Sequence, residues 1–131
     1  MSQAASVSEI LEKHGLLGIW SADCTKPLSK QNRYAVYRAL DADHVQREVK
    51  FDPATAGTLS IADCASESGP NEVNISWVDG SGGGRVNNTV RVEGNRFRLW
   101  HSTSDTGEKF VVDGREVDDD EETVWIHKCG S

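Results

Sequence analysis

The chain has 131 residues, a size typical of one domain, and its 37% hydrophobic and 27% charged content is typical of folded rather than disordered proteins. Its 14 basic and 21 acidic residues give a formal charge of −7, which argues against non-specific binding of nucleic acid. No apolar run approaches the roughly 20 residues of a membrane-spanning helix. We therefore expect one domain over 1–131 with a disordered tail at 1–5, no nucleic-acid partner and no membrane span.

A short helix is predicted near the N-terminus. Ser6 and Glu9 have the S-x-x-E spacing of a capping box, and a narrow apolar stripe follows them. Gly15 stands where a glycine cap ends a helix. A helix of two to three turns is not stable alone, so we expect it to pack on an apolar surface such as the end of a barrel.

The rest of the chain alternates between strand-like segments and turns. Apolar alternation predicts strands over 16–24, 33–40, 44–51, 58–62, 72–78, 85–92, 96–101, 108–112 and 123–129. An irregular alternation in 33–40 predicts a bulge, and the polar or glycine-rich segments 65–71 and 79–84 predict loops. Evenly spaced strands without intervening helices exclude parallel βαβ folds and leave a sandwich or an up-and-down barrel. We expect an all-β, antiparallel up-and-down barrel of eight or nine strands, closed by its first and last strands.

Gly18 and Trp20, after a short helix, resemble the G-x-W signature of lipocalins, and the succession of hairpins is similar to the calycin group, which includes fatty-acid-binding proteins. The resemblance implies that Trp20 plugs the closed end of the barrel and that a basic residue packs across it. Lys128 is the nearest candidate, and Arg96 and Arg98 are others. The T-D-Y-like turn and the late arginine of other lipocalin motifs are not evident.

The two ends of the chain also resemble small bacterial barrels without an established activity. Those proteins have L-x-G-x-W-x-x-D-C near the start and W-x-x-K-C near the end. The matching residues here are Leu16, Gly18, Trp20, Asp23, Cys24, Trp125, Lys128 and Cys129. The resemblance spans the whole chain and supports the fold rather than a chemistry.

Three cysteines permit one disulfide. A bridge between Cys24 and Cys129 would lock the seam between the terminal strands, provided that Cys24 lies beyond the paired part of its strand. Pairing of Cys64 with either partner, or three free thiols, are the alternatives. The segment 1–8 has no apolar run typical of a signal peptide. We expect a periplasmic or secreted protein if Cys24 and Cys129 are bridged, and a cytoplasmic one otherwise.

Arg47 is the main candidate for a binding residue. It shares a strand face with Val45, Val49 and Phe51, so an inward face would bury a cation that needs an anionic partner. That partner is a ligand carboxylate, as the resemblance to fatty-acid-binding proteins implies, or a carboxylate of the protein; the opposite strand face pointing inward is the other alternative. The further candidates, which either line or fill a cavity, are Tyr34, Tyr37, Trp77, Arg98 and Trp100.

Catalytic and metal-binding motifs are not evident in the sequence. The four histidines are widely separated, G-x-S-x-G is absent, and the glycines at 80–84 lack the lysine and helix of a phosphate loop. The acidic block 118–122 lacks the spacing of a calcium loop, so a solvated turn is favoured over a Ca²⁺ site. We expect no enzymatic activity, no metal and no cofactor.

Two functions follow from these expectations. The first is a non-enzymatic protein, a monomer or weak homodimer, that binds a small apolar or amphipathic ligand inside the barrel. The alternative is a structural or interaction module with a filled core and a partner surface on loops 25–32, 65–71 or 79–84. A cavity of a few hundred Å³ would distinguish the first from the second.

Overall fold

The computed structural model describes residues 5–80 and 84–130. These residues form one helix, α1 (Val7–Lys13), and ten strands. The strands are β1 (Gly18–Ser21), β2 (Tyr34–Asp41), β3 (His44–Lys50), β4 (Thr58–Gly69), β5 (Glu72–Asp79), β6 (Arg85–Glu93), β7 (Arg96–Ser104), β8 (Lys109–Val112), β9 (Arg115–Glu116) and β10 (Ile126–Gly130). The predicted tail at 1–5 falls on undescribed residues except for position 5, and 81–83 of the predicted loop 79–84 lie outside the described residues too.

The helix α1 begins and ends as its sequence predicts. Ser6 is the N-cap, and its hydroxyl oxygen accepts a hydrogen bond from the Glu9 N–H at 3.3 Å. Gly15 has φ +69°, and the Leu16 N–H donates to the Leu11 carbonyl at 2.8 Å, which completes a Schellman-type end. Within the described residues no helix has the length and apolar character needed to cross a bilayer.

Eight of the ten strands form a closed antiparallel barrel. Successive strands pair from β1 to β7, and β10 pairs with β1 on one side and with β7 on the other. The register pairs Trp20 with Lys128 at the first junction and Phe97 with Ile126 at the second. The predicted barrel, closed by its first and last strands, is therefore confirmed. Closure leaves these strands without a free edge that could pair with another chain.

The remaining two strands extend from the barrel wall. The first part of β7 pairs with β10, whereas its second part pairs with β8, as in Ser102 opposite Val111. The short strand β9 pairs with β8. The segment 113–125 then leads back from this extension to β10, which begins at Ile126 rather than at the predicted position 123.

The strand β4 is longer than its sequence predicts. The prediction of a loop at 65–71 is wrong up to Gly69, because β4 pairs with β5 along that length, for example at Ser66 opposite Asn74. Ser66 and Ser68 are exposed. A strand with one solvated face accommodates such polar residues, so polar composition alone does not distinguish it from a loop.

The helix closes one end of the barrel. The Ser8 N–H donates to the Ala42 carbonyl in the turn between β2 and β3 at 3.1 Å, which places α1 at that end of the strands. Leu11, Leu16 and Trp20 are at most 1% exposed there. Burial of these side chains stabilises the closed end by about 1.5–3 kcal/mol for each large apolar residue.

The seam between the chain ends carries a disulfide. Cys24 and Cys129 are bridged, with their Cα atoms 5.4 Å apart across 105 residues of sequence. Cys24 lies in the turn after β1, beyond the paired residues, as the bridge requires. Cys64 is an exposed free thiol on β4, so the predicted Cys24–Cys129 pairing is confirmed and the alternatives are excluded.

Candidate functional site

Aromatic side chains form the floor of the barrel interior. The Trp20 and Phe97 rings meet edge to face at 4.7 Å, and Tyr37 makes edge contacts with Phe97 at 6.1 Å and with Trp77 at 5.6 Å. The Trp20 indole N–H donates to the Leu16 carbonyl at 3.0 Å, which satisfies its polar atom. Edge-to-face contact is an arrangement that aromatic pairs favour, so the floor is a closely packed aromatic surface.

Above this floor lies a cavity of about 540 Å³. It reaches the end of the barrel opposite α1, because its rim includes Arg33 and Tyr34 at the start of β2 together with residues of 116–124. Its walls are mostly apolar, from Leu16, Ala35, Val49, Ile75, Val90, Leu99 and Ile126. This volume is within the range of about 300–1,000 Å³ that small-molecule sites occupy, and the interior is therefore not filled by side chains.

Arg47 is the cation in this cavity. Its guanidinium carbon lies 4.2 Å from the centre of the Trp77 ring, and its neighbours across the sheet are Tyr37 on β2 and Ser60 on β4. The Arg47 Nε atom is buried without a hydrogen-bond partner. No carboxylate among the described residues lies within 4.0 Å of this guanidinium. A buried N–H without a partner costs about 1–3 kcal/mol, so the Arg47 Nε–H could donate to a hydrogen-bond acceptor that the described residues do not supply.

Four of the six predicted binding residues line the cavity. Arg47, Tyr37 and Trp77 lie inside it, and Tyr34 lies at the rim, where its hydroxyl donates to the Lys26 carbonyl at 2.6 Å. Contact of these four residues with a ligand stays a prediction.

Arg98 and Trp100 lie outside the cavity instead. They alternate along β7 with the inward residues Phe97 and Leu99, so the pleat directs them outward. Arg98 donates to the Gly114 carbonyl at 2.7 Å, and Arg91 stacks on the Trp100 ring at 3.5 Å. Because the Gly114 N–H also donates to the Trp100 carbonyl at 2.9 Å, both residues anchor the segment after β8 to the outer wall.

The residues that the lipocalin resemblance assigned to barrel closure meet at the closed end. Lys128 Nζ lies 5.8 Å from the centre of the Trp20 ring and donates to the Gly15 carbonyl at 3.1 Å. Gly18 has φ +136°, and a Cβ there would lie 2.5 Å from the Gly130 carbonyl oxygen. Only glycine fits this position without moving β10. Arg96 stacks on Trp125 rather than on Trp20.

At the open end of the barrel, the part of the rim formed by 116–122 is acidic. Glu116, Glu121 and Glu122 line the mouth, and Glu122 lies 3.7 Å from Arg115. The negative charge of Asp119 raises the pKa of Glu116 above its ordinary value, with smaller contributions from burial and neighbouring acids. Carboxylate oxygens of Glu116, Asp119 and Glu121 lie within 4.8 Å of one another, and all three residues are exposed. The block predicted to be a solvated turn is thus an exposed turn that flanks the mouth.

The loop 22–33, which carries Lys30 and Arg33, is held by one buried amide. The Asn32 side chain is 5% exposed and donates to the carbonyls of Asp23 at 2.8 Å and Lys26 at 3.0 Å. Its oxygen accepts from the Ser21 hydroxyl at 2.9 Å. The predicted binding residues include neither Asn32 nor the two cations, because their positions depend on contacts between separate parts of the chain.

Comparison of the chain with protein-family models, with curated proteins and with solved structures found no match. The architecture itself, a closed eight-stranded antiparallel barrel with one short helix, is compatible with a lipocalin-like barrel.

Proposed function

We propose that this protein is a non-enzymatic carrier or sensor that binds a small amphipathic anion inside its barrel. The observation that carries the proposal is the apolar cavity of about 540 Å³ with Arg47 unpaired on its wall. An apolar chain would replace water against the aromatic floor, and an anionic group would accept hydrogen bonds from the guanidinium. A filled interaction module is less well supported, because such a module needs no interior space of this size.

The electrostatics of Arg47 support an anionic ligand. A guanidinium keeps its charge at every physiological pH, and its other face already stacks on Trp77. A charge-assisted hydrogen bond in a partly desolvated site contributes about 1.5–3 kcal/mol. Loss of one such contact therefore corresponds to an affinity change of about 10- to 100-fold.

The make-up of the cavity lining supports binding. Its walls are mostly apolar, the hydroxyl of Ser21 is bonded to Asn32, and Glu116, Glu121 and Glu122 line the mouth. The position of Trp20 at the closed end, with Lys128 nearby, supports a lipocalin-like relationship. The Cys24–Cys129 bridge supports a periplasmic or secreted location, because disulfides persist in oxidising compartments.

Titration with decanoate, followed by tryptophan fluorescence and calorimetry, tests the proposal. Two of the four tryptophans, Trp20 and Trp77, face the cavity, so occupancy should change the emission. We expect one decanoate per chain, and we expect Arg47→Met to weaken its binding by about 10- to 100-fold.

The matched control is Arg38→Met. Arg38 is an exposed arginine one residue from Tyr37 on the outer face of β2, so its loss changes the net charge equally without touching the cavity. Affinity for decanoate should be unchanged in this variant. An absence of saturable binding by the wild-type protein, or an equal loss in both variants, would contradict the proposed site.

A further inference from the structure

A second cleft of about 380 Å³ adjoins the cavity at Arg47. The cleft and the cavity share Arg33, Arg47 and Val49, and the cleft adds Lys30, Phe51, Thr58 and Ser60. Its lining therefore offers three cations and two hydroxyl groups. None of its described residues is acidic.

These cations have no carboxylate partner in the described part of the chain, unlike three other arginines of the barrel wall. Arg85, Arg91 and Arg96 each form an ion pair with an aspartate or glutamate. Within 5–80 and 84–130, no carboxylate lies within 4.0 Å of Lys30, Arg33 or Arg47. Among the described residues, Arg38 and Lys50 form no ion pair either, so the distinctive feature of Lys30, Arg33 and Arg47 is that they line one cleft without an acid.

Sheet register places the hydroxyl groups beside the guanidinium. Ser60 on β4 is the cross-strand neighbour of Arg47, and Thr58 is the neighbour of Val49. Residues directly opposite in an antiparallel pair share a face, so both hydroxyls lie on the inward face with Arg47. Lys30 approaches from the loop 22–33.

We propose that the cleft binds a phosphate monoester as the head group of the amphiphile whose chain occupies the cavity. This inference rests on the proposed function and names its ligand class. A carboxylate has two oxygens and one charge, which a single arginine satisfies. A phosphate monoester has three free oxygens and a charge of about −1.5 to −2 at neutral pH. The arginine fork, the lysine point charge and the two hydroxyls match that larger set.

The acidic side of the mouth supports the same placement. Glu116, Glu121 and Glu122 line the cavity but not the cleft. A dianionic head group is repelled from that side and attracted to the cationic one. The two sides together therefore orient an amphiphile with its head group at Lys30, Arg33 and Arg47.

Calorimetric titrations with four probes test the inference: decyl phosphate, decyl sulfate and decanoate, each below the concentration at which it forms micelles, and inorganic phosphate. We expect decyl phosphate to bind about tenfold or more tightly than decanoate, because it adds charge-assisted contacts. Decyl sulfate, with tetrahedral oxygens but one charge, should bind with intermediate affinity. Inorganic phosphate should bind far more weakly than decyl phosphate, because it lacks the apolar chain.

Two lysine variants distinguish a specific contribution of the cleft to binding from a general effect of net charge. Lys30→Met should reduce the preference for decyl phosphate over decanoate to about threefold or less, with decanoate affinity little changed. Lys50→Met is the matched control, because Lys50 ends β3 close to the cleft but is not part of its lining. It should leave the preference intact.

The outcomes are distinguishable. Equal affinity for decyl phosphate and decanoate, or equal effects of the two lysine variants, overturns the phosphate inference and leaves the proposed function standing. Inorganic phosphate binding as tightly as decyl phosphate overturns it in favour of a site for free phosphate. If no amphiphile binds, the proposed function fails and this inference fails with it.

Discussion

Removal of the Cys24–Cys129 bridge should destabilise the barrel strongly. The bridge spans 105 residues. Closing a loop of that length in the unfolded chain restricts its entropy by about 16 cal/mol/K, or about 4.8 kcal/mol at 25 °C. Since domains of this size are stable by about 5–15 kcal/mol, the double variant Cys24→Ser, Cys129→Ser should lose a large part of its free energy of unfolding.

Urea unfolding followed by tryptophan fluorescence measures this loss. With a slope of about 2 kcal/mol/M, the midpoint should fall by about 2.4 M. Cys64→Ser is the control, because that thiol is exposed and unpaired, and its midpoint should change by the equivalent of about 0.5 kcal/mol or less. Reductant should bring the control variant to the stability of the double variant. A loss below about 1 kcal/mol would refute the idea that the bridge constrains the two chain ends.

Three further substitutions test polar interactions that hold the barrel and its loops together. Asn32→Ala should cost about 1–3 kcal/mol in urea unfolding, because it leaves buried partners of the amide unsatisfied. Hydrogen bonds from His14, and to a smaller extent from Lys13, lower the pKa of Glu67 below its ordinary 4.5. The ionised Glu67 carboxylate therefore stabilises the fold above pH 4.5, and this stabilisation is lost as pH falls through the lowered pKa of the folded state. Glu67→Gln should accordingly melt below the wild type at pH 7 and equally at pH well under 4.5. The raised pKa of Glu116 has the opposite effect on the pH dependence of stability, because stability is lost as pH rises through that pKa. Glu116→Gln should therefore melt above the wild type at pH 7, and a lower melting temperature would contradict the repulsion from Asp119.

The fold follows from local patterns to a large extent. Alternation in β3 places Val45, Arg47 and Val49 on one face, and that face is the interior, with Val45 fully buried. Helix signals at Ser6 and Gly15 also predict α1 correctly. These features depend on neighbours in sequence and on the two-residue period of a strand, so one sequence is enough to find them.

The two faces of β7 show a feature that local sequence patterns do not predict, namely which face points into the barrel. Alternation separates Phe97 and Leu99 from Arg98 and Trp100, so only one pair can line the cavity. Both pairs contain an aromatic residue, and the sequence therefore does not decide between them. The pairing of β7 with two different strands decides it, because the outward side chains hold the segment after β8 against the wall.

The cationic cleft could not be predicted, because it depends on a long-range arrangement. Lys30 and Arg33 belong to a polar loop whose sequence gives no direction to its side chains. The Asn32 amide fixes that loop by bonds to backbone groups up to nine residues away, and the register between β3 and β4 adds Ser60. The proposed site thus lies where a regular wall meets an irregular loop, as is common for binding sites on rigid scaffolds.

The interior of the barrel is less apolar than stability alone would favour. An aliphatic residue at position 47 would add apolar contacts inside the barrel, and such packing is more stabilising than a guanidinium whose buried N–H has no partner. The sequence instead places a cation against Trp77 and leaves its Nε without a partner. Polar groups that weaken a core are found chiefly at functional sites, where their partner comes from outside the chain. In the proposed function an anionic ligand would supply that partner to Arg47, and the disulfide and the closed floor would supply the stability that the open upper half lacks.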